Sequence, residues 1–241
     1  MNSKKLELSI GILSWKSPKT IINTLESYRN TRLLDIVNDV TIFFQEATEF
    51  DRNIANFYKV QAIFSDTNIG IGKGLTKLVE SASTKNILLL ENDWVNIENP
   101  DQTYDELEKG VNLLEYRRAD MIKYRHRRFP GDPLYTLQYN GREMDSPKHL
   151  LECVHWRENP DIDFKDYISK DFSTGYYTAK SKYANHTNNP TMFKTRFYLD
   201  NVAPFSGEGV DLEGKIDGWW QEQDFIVAHG NGLFTHYRID R

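Results

Sequence analysis

The chain has 241 residues, of which 39% are hydrophobic and 27% charged, and this balance excludes a disordered or low-complexity protein. Its 30 Lys and Arg are outnumbered by 35 Asp and Glu, and the resulting formal charge of -5 argues against a general nucleic-acid binder. The one cysteine, Cys153, can form neither an internal disulfide nor a thiolate metal cage, which is typical of a reducing compartment.

No segment has the composition of a targeting or membrane sequence. The first residues are polar, and the longest aliphatic run, residues 87–90, is far shorter than the ~20 residues of a membrane helix. We therefore expect no signal peptide, no membrane span and a cytoplasmic location.

Strands and helices are predicted to alternate through the first half of the chain. Residues 6–14 form an apolar run typical of a strand, and residues 18–29 have apolar side chains at helical spacing, with Ser17 as the expected N-cap. The further predicted elements are strands at 39–45, 60–65 and 86–90 and a helix at 75–83. This order predicts an open parallel sheet that binds its ligand at the carboxyl ends of the strands.

The second half has a weaker pattern. It predicts a helix at 102–118, a strand at 121–128, an irregular stretch at 129–201, a helix at 219–229 and a Gly-rich turn at 230–232. Because no linker or internal repeat separates the halves, we expect one domain over 1–241. Residues 1–100 would bind a nucleotide and residues 101–241 would supply an irregular surface for a second substrate.

Two short segments suggest chemistry. Glu91 and Asp93 follow the buried strand 86–90, and side chains one residue apart on an extended chain point the same way, so their oxygens can hold Mg²⁺ or Mn²⁺. A simple turn is the alternative. The glycines of residues 68–74 precede a helix and suit either a phosphate loop or a flexible helix cap, but they lack the spacing of both known phosphate-loop motifs.

Together these segments resemble the nucleotide-binding half of the GT-A fold glycosyltransferases, particularly glycosyltransferase family 2. The resemblance rests on the order of elements, on Asp66-x-Asn68-x-Gly70, and on Glu91-x-Asp93 at the place of the family's Asp-x-Asp motif. Lys73 takes the approximate place of the basic residue in the family's loop. The resemblance covers residues 1–95 well and the tail in part.

The resemblance implies an α/β GT-A (Rossmann-like) fold with a mostly parallel central sheet flanked by helices. It also implies inverting transfer of a sugar from a nucleoside diphosphate donor, with a UDP-sugar expected, to a carbohydrate acceptor, with Mn²⁺ or Mg²⁺ as cofactor. The implied donor-binding residues are Ser14, Trp15, Glu46, Asp66, Asn68, Gly70, Lys73, Glu91, Asn92 and Asp93. Asp93 is the implied metal ligand, and the longer Glu91 leaves its own ligation open.

Residues 219–225 resemble the Glu-Asp element that supplies the general base of the family's inverting members. Glu222, or else Asp224, would take this role, although acidic residues in a first helical turn also suit the helix dipole. His236 resembles a C-terminal histidine that completes the metal shell, with a structural role as the alternative and His229 as the less favoured ligand.

Aromatic and basic side chains have two interpretations each. The aromatic candidates for stacking on the acceptor sugar, which otherwise belong to the core, are Trp156, Tyr176, Tyr177, Trp219 and Trp220. The basic residues that would offset phosphates or bind an anionic acceptor, or else lie on a solvated edge strand, are Lys123, Arg125, His126, Arg127 and Arg128. The alternative functions are a sugar-phosphate nucleotidyltransferase and a non-catalytic carbohydrate-binding protein.

Overall fold

A computed structural model describes residues 5–134, 147–207 and 211–240. Over these ranges one ten-stranded sheet runs through the molecule in the order β3-β2-β1-β4-β9-β6-β10-β8-β7, with β5 paired to β10. The strands are β1 Leu6–Trp15, β2 Val37–Gln45, β3 Gln61–Ser65, β4 Asn86–Glu91, β5 Trp94–Asn96, β6 Met121–Arg125, β7 Ile168–Lys170, β8 Tyr177–Lys180, β9 Thr191–Lys194 and β10 Ile226–His236.

Helices cover both faces of the sheet. They are α1 Pro18–Asn30, α2 Leu33–Ile36, α3 Glu49–Tyr58, α4 Ile71–Ser81, α5 Pro100–Glu115, α6 Pro160–Asp163, α7 Thr195–Asn201 and α8 Leu212–Gln221, with 3-10 helices at Pro147–His155, Ser181–Tyr183 and Ala203–Phe205. Side chains of α1, α3 and α5 form one core layer, and those of α4, Pro147–His155, α7 and α8 form the other. None of the helices in these ranges combines the length and the apolar character that crossing a membrane requires.

The first four strands of this order are parallel and end at one edge. Trp15 pairs with Gln45, Gln45 pairs with Ser65, and Leu13 pairs with Glu91, so the residues that follow β1, β2, β3 and β4 meet there. Leu8, Ile10 and Ile12 of β1 face one core layer, while Leu13 faces the other. This is the two-residue period of a strand buried on both faces.

The predicted helix at 219–229 is wrong. Helix α8 ends at Gln221, and Ile226–His236 form a central strand that pairs parallel with β6 and antiparallel with β8. Because the strand is covered on both faces, its apolar residues do not alternate and resemble a helix segment in the sequence. The predicted turn at 230–232 lies within this strand, where the pairing to β6 shifts register between His229 and Phe234.

Three other predictions need correction. The stretch 129–201 contains regular structure, namely Pro147–His155, α6, β7, β8, β9 and α7. Strand β6 is central, between β9 and β10, and is not a solvated edge. Ser17 does not cap α1, because its hydroxyl donates to the Trp15 carbonyl instead.

Two glycines in helices allow a matched test of core packing. A Cβ on Gly110 of α5 would lie 1.8 Å from the hydroxyl oxygen of the fully buried Tyr124, whereas a Cβ on Gly218 of α8 would meet nothing within 4 Å. We expect Gly110→Ala to lower the free energy of unfolding by about 1–3 kcal/mol, and Gly218→Ala to raise it by up to about 1 kcal/mol. Urea unfolding of both variants measures the difference. Equal effects of the two substitutions would contradict the packing of α5 on β6.

Candidate active site

A cavity of about 430 Å³ opens beside the end of β4. One wall is formed by residues that follow β4 and by the end of β10, and the other by Pro147–His155, residues 185–189 and the first turn of α8. The residues that line it are Glu91, Asp93, Trp94, Arg125, Pro133, Leu134, His149, Glu152, Asn185, Thr187, Asn188, Asn189, Glu213, His236 and Arg238.

The turn that carries Asp93 is held from two sides. Helix α1 binds it through Thr24, whose hydroxyl donates to the Asn92 carbonyl at 2.7 Å, and through Tyr28, whose hydroxyl donates to the Trp94 carbonyl at 2.7 Å. On the other side, β5 pairs antiparallel with β10 and sets His236 opposite Trp94. These contacts fix the buried Asp93 against the end of β10.

Asp93 meets two basic side chains at its Oδ2 atom. His236 Nε2 lies 3.1 Å away and Arg238 Nε 3.4 Å away. The hydrogen bond to Asp93 raises the pKa of His236 above its ordinary value, against the opposing effect of burial. The structure thus brings together Asp93 and His236, which are 143 residues apart in the sequence.

Glu91 lies beside this group as a second carboxylate. Its partial burial at the strand end, then the charges of Asp93 and Glu213, raise the pKa of Glu91 to about 7. A carboxyl group with such a pKa is partly protonated at neutral pH, so it can donate a hydrogen bond as well as accept one.

The metal-ligating side chains present fit a divalent ion, but they supply only two protein ligands. Within the described ranges, no group of three or more His, Cys, Asp and Glu side chains is arranged to hold a metal by itself. The carboxylate of Asp93 and the imidazole of His236 are nevertheless adjacent, and Mg²⁺ is commonly held by one or two carboxylates together with phosphate oxygens of a substrate. An ion here would need oxygens from such a substrate.

The opposite wall carries two more carboxylates. Glu152 is buried and bonds to Lys123 Nζ, and this ion pair lowers the pKa of Glu152 well below its usual range, although burial opposes the shift. Glu213 lies in the first turn of α8 and accepts a hydrogen bond from the Asn188 backbone N–H at 2.5 Å. Desolvation by the surrounding protein raises the pKa of Glu213, although the residue is exposed and lines the cavity.

The predicted donor-binding residues follow neighbouring strands. The buried Ser14 hydroxyl lies 3.4 Å from the Asn92 side-chain nitrogen, and the exposed Trp15 ring nitrogen donates to Glu46 at 3.3 Å. Asp66 follows β3 and is exposed. All five positions lie at the edge of the sheet where β4 ends in Glu91.

The glycine segment has a packing role. The Asn68 side chain accepts a hydrogen bond from the Gly70 N–H at 2.8 Å, and Gly70 has a φ of 86°, which favours glycine. Gly72 and Gly74 are buried where α4 packs, since a Cβ on Gly74 would lie 2.6 Å from a Leu13 methyl group. Lys73 is partly exposed, and its predicted contact with the donor stays a prediction.

Glu222 and Asp224 lie away from the cavity. Glu222 is the C-cap of α8, and nine residues of helix separate it from Glu213 by about 13 Å. Asp224 is exposed and pairs with Lys180 at 2.6 Å, which lowers the pKa of Asp224. The structure therefore places Glu213, and neither of the two predicted bases, in the cavity wall.

The predicted acceptor-stacking rings are divided between the core and its margin. Tyr176, Tyr177 and Trp220 are buried, with Trp220 donating to the Ala184 carbonyl at 2.8 Å, so these three rings are closed to a ligand and the prediction is corrected. Trp156 and Trp219 are partly buried against the core layer that contains Tyr177 and Trp220, and they are not among the residues that line the cavity.

Of the predicted basic cluster, Lys123, Arg125 and His126 are buried, Arg127 is partly buried and Arg128 is exposed. Arg125 donates to the carbonyls of Pro130, Gly131 and Pro133 at 2.7–2.9 Å, and Arg127 donates to three other carbonyls. His126 lies 2.9 Å from a carboxylate oxygen of Glu98. These side chains hold loops around the cavity, which is neither of the roles that the sequence suggested.

Sequence reasoning did not single out Glu152, Thr187, Asn188, Glu213 or Arg238. A signal for α8 was present, because Asp211 precedes apolar residues at 212, 216 and 220, a spacing that predicts an N-cap followed by an amphipathic helix. That pattern places Glu213 in a first turn. The others carry no such local signal.

The tail that carries Arg238 is anchored to the start of α1. The Asp240 carboxylate accepts hydrogen bonds from the Lys19 N–H at 2.8 Å and the Thr20 N–H at 3.0 Å, and also from the Thr20 hydroxyl. Burial opposes ionisation of Asp240, but the bonds from Thr20 and Lys19 outweigh it and lower the pKa. A carboxylate thus caps α1 in place of Ser17.

We expect Asp240→Ala to lower the melting temperature at neutral pH. Because the folded-state pKa is depressed, the stabilisation is fully present above the unfolded value of about 3.9 and disappears as the pH falls through the folded-state pKa. Thermal unfolding at neutral and strongly acidic pH measures this convergence with the wild type. Asp200→Ala, which removes an exposed pair with Arg196, is the control and should leave the melting temperature unchanged. A pH-independent effect at Asp240 contradicts the capping role.

The fold is that of the GT-A glycosyltransferases, as comparison with solved structures shows. The structure is similar to Staphylococcus aureus TarS residues 1–349, with a TM-score of 0.60, 12% identity, and 96% of this chain and 60% of that one covered. The same fragment in complex with UDP-GlcNAc gives a TM-score of 0.59, also at 12% identity, over 98% of this chain and 60% of that one.

Glucosyl-3-phosphoglycerate synthase from Mycobacterium tuberculosis, in complex with Mn²⁺, UDP and glucosyl-3-phosphoglycerate, is similar with a TM-score of 0.56 at 13% identity, over 97% of this chain and 72% of that one. Of the TarS fragment, this chain spans 60% of the length. No protein-family model and no curated protein matches the sequence. The predicted fold class is confirmed.

Proposed function

We propose that the protein is a metal-dependent, inverting glycosyltransferase that moves a sugar from a nucleoside diphosphate donor, expected to be a UDP-sugar, to a carbohydrate acceptor. The observation that carries the proposal is that one cavity is lined by both the Asp93–His236 pair and the Glu213 carboxylate. The structures of the two similar proteins contain UDP-GlcNAc in one case and Mn²⁺ with UDP in the other, which supports the donor class.

In this reaction an acceptor hydroxyl oxygen attacks the anomeric carbon of the donor sugar. The bond from that carbon to the diphosphate breaks, and the diphosphate leaves with the electron pair. Glu213 takes the proton of the hydroxyl, a role that suits a carboxylate whose pKa is raised above its ordinary value. Attack from the face opposite the leaving group inverts the anomeric configuration.

Asp93 and His236 would hold Mn²⁺ or Mg²⁺, and a bound ion would neutralise the charge that develops on the leaving diphosphate. Arg238 adds a positive charge on the same side of the cavity. We place the nucleoside along Ser14, Trp15, Glu46 and Asp66, where the ends of β1, β2 and β3 meet. Residues 1–100 then bind the donor and residues 101–241 the acceptor, within one domain, and the cytoplasmic location stays a prediction.

Calorimetric titration of the protein with UDP, in the presence and absence of Mn²⁺, tests the donor site directly. We expect UDP to bind, and to bind more tightly with Mn²⁺. A panel of UDP-, GDP- and dTDP-sugars then identifies the donor by release of the nucleoside diphosphate. NMR of the anomeric proton of the product determines whether the configuration is inverted.

Three results would count against the proposal. Absence of nucleotide binding across the whole panel contradicts the donor site. Binding without sugar transfer favours a non-catalytic protein, and release of pyrophosphate from a nucleoside triphosphate and a sugar phosphate favours a nucleotidyltransferase. Retention of anomeric configuration contradicts the role given to Glu213.

A further inference from the structure

Four polar residues of the cavity lining come from the second half of the chain, and we refer to them as the inner end: Glu152, Thr187, Asn188 and Glu213. The groups that it offers are two carboxylates, a hydroxyl and an amide. All four can accept hydrogen bonds from hydroxyl groups of a ligand.

Two atoms at this inner end have no hydrogen-bond partner among the described residues. They are Thr187 Oγ1 and Asn188 Oδ1, both shielded from solvent, and Thr187 is only 6% exposed. Buried polar atoms are nearly always paired, because an unpaired one loses its bonds to water. Because both residues line the cavity, rotation of either side chain would bring its unpaired oxygen within reach of a bound ligand.

The positive charges near the cavity are already committed. Lys123 Nζ bonds to Glu152 and lies 3.0 Å from the Asn185 side-chain oxygen, and Arg238 lies against Asp93. The Arg125 guanidinium donates hydrogen bonds to three backbone carbonyls. In the described part of the inner end, two carboxylates therefore face one cation, which is bound to one of them.

From this chemistry we infer that the inner end is an acceptor subsite for an uncharged, hydroxyl-rich compound, a neutral sugar or polyol, and that it rejects phosphorylated and carboxylated acceptors. This inference rests on the proposed function. Hydroxyl groups of a neutral acceptor donate to Thr187, Asn188 and the carboxylate of Glu213. A phosphate or carboxylate in the same place meets Glu152 and Glu213 at close range in a partly desolvated cavity, where like charges repel strongly.

The test compares matched acceptors with the wild-type protein, its donor sugar and Mn²⁺. Glucose, galactose, N-acetylglucosamine and glycerol are each set against a charged counterpart: glucose 6-phosphate, galacturonate, N-acetylglucosamine 6-phosphate and 3-phosphoglycerate. We expect at least one neutral compound to stimulate release of the nucleoside diphosphate at least tenfold over hydrolysis, and its charged counterpart not to do so. A charged compound used as well as its neutral parent overturns the inference, as does a panel in which no neutral member acts.

Thr187→Val tests the subsite itself, since it removes the unpaired hydroxyl and keeps the shape. We expect the KM for the neutral acceptor to rise about fivefold, with the affinity for UDP unchanged. The control is Thr41→Val, another buried threonine, which lies on β2 outside the cavity and should leave the KM unchanged. An unchanged KM in Thr187→Val overturns the assignment of this residue.

Glu152→Gln tests the role of charge. It leaves the Lys123 cation uncompensated, so the ratio of neutral to charged acceptor use should fall at least tenfold if the variant folds. An unchanged ratio in a folded variant contradicts the inference, and the wild-type panel decides the matter if the variant does not fold. Failure of UDP to bind the wild type would contradict the proposed function instead. Failure of the function and failure of the acceptor inference therefore give different results.

Discussion

Glu213→Gln is expected to lower kcat for sugar transfer by about 10²- to 10⁴-fold, the usual contribution of a general base. Glutamine keeps the oxygen that accepts the Asn188 N–H bond, so the first turn of α8 retains its shape. It cannot take the proton of the acceptor hydroxyl, however. The affinity for UDP should stay within twofold of the wild-type value, because Glu213 lies on the wall opposite Asp93.

The pH dependence gives a second readout of the same group. A general base works only when deprotonated, so kcat/KM must fall as the pH drops through the pKa of Glu213. Because that pKa is raised, the acidic limb of the profile should lie above the ordinary value of about 4.3 for glutamate. Glu213→Gln should abolish this limb in whatever activity remains.

Glu222→Gln is the matched control for this experiment. It makes the same change in the same helix, but at the exposed C-terminal end, about 13 Å from Glu213. We expect its kcat to equal that of the wild type. The opposite pattern, in which Glu222→Gln is inactive and Glu213→Gln is active, restores the base that the sequence suggested and refutes the assignment made from the cavity.

The edge of the sheet to which we assign the nucleotide was predictable because its signals are local. The strands β1, β2 and β4 are apolar runs bounded by polar residues, and the side chains after parallel strands meet at one edge whatever the details of packing. The adjacency of Asp93 and His236 was reached only by resemblance. Its physical cause is the antiparallel pairing of β5 with β10. Strand β5 has only three residues and is too short to leave a pattern in the sequence.

The side of the cavity to which we assign the acceptor was harder to predict, because its polar residues are positioned by tertiary contacts. Lys123 is an example, since a lysine in a strand is ordinarily solvated, yet here it is 2% exposed and compensated by Glu152 from a 3-10 helix. Such a pairing depends on where Pro147–His155 packs, and nothing in the spacing of the two residues reveals it. The same holds for the burial of Tyr176 and Trp220, which composition alone could equally place on a sugar.

Asp93→Asn is expected to lower the Mn²⁺-dependent affinity for UDP by about 100-fold or more. Changes in the groups that merely support a metal ligand typically cost 10- to 100-fold in metal affinity, so loss of a charged ligand costs at least as much. Without Mn²⁺ the sign reverses. The Asp93 carboxylate repels a diphosphate, so the variant should bind UDP at least as well as the wild type when no metal is present.

Calorimetry of both proteins with UDP, with and without Mn²⁺, measures this crossing, in which the variant binds UDP more weakly with Mn²⁺ and at least as well without it. Thermal unfolding shows whether the variant is folded. Asp200→Asn, on the exposed face of α7, is the control and should retain the full effect of Mn²⁺. A uniform loss of UDP binding in Asp93→Asn, equal with and without Mn²⁺, indicates that Asp93 only shapes the turn after β4. A variant that keeps the wild-type response to Mn²⁺ removes Asp93 from the metal site. Only the crossing pattern, with affinity lost in Mn²⁺ and kept without it, supports the role of Asp93 as a metal ligand.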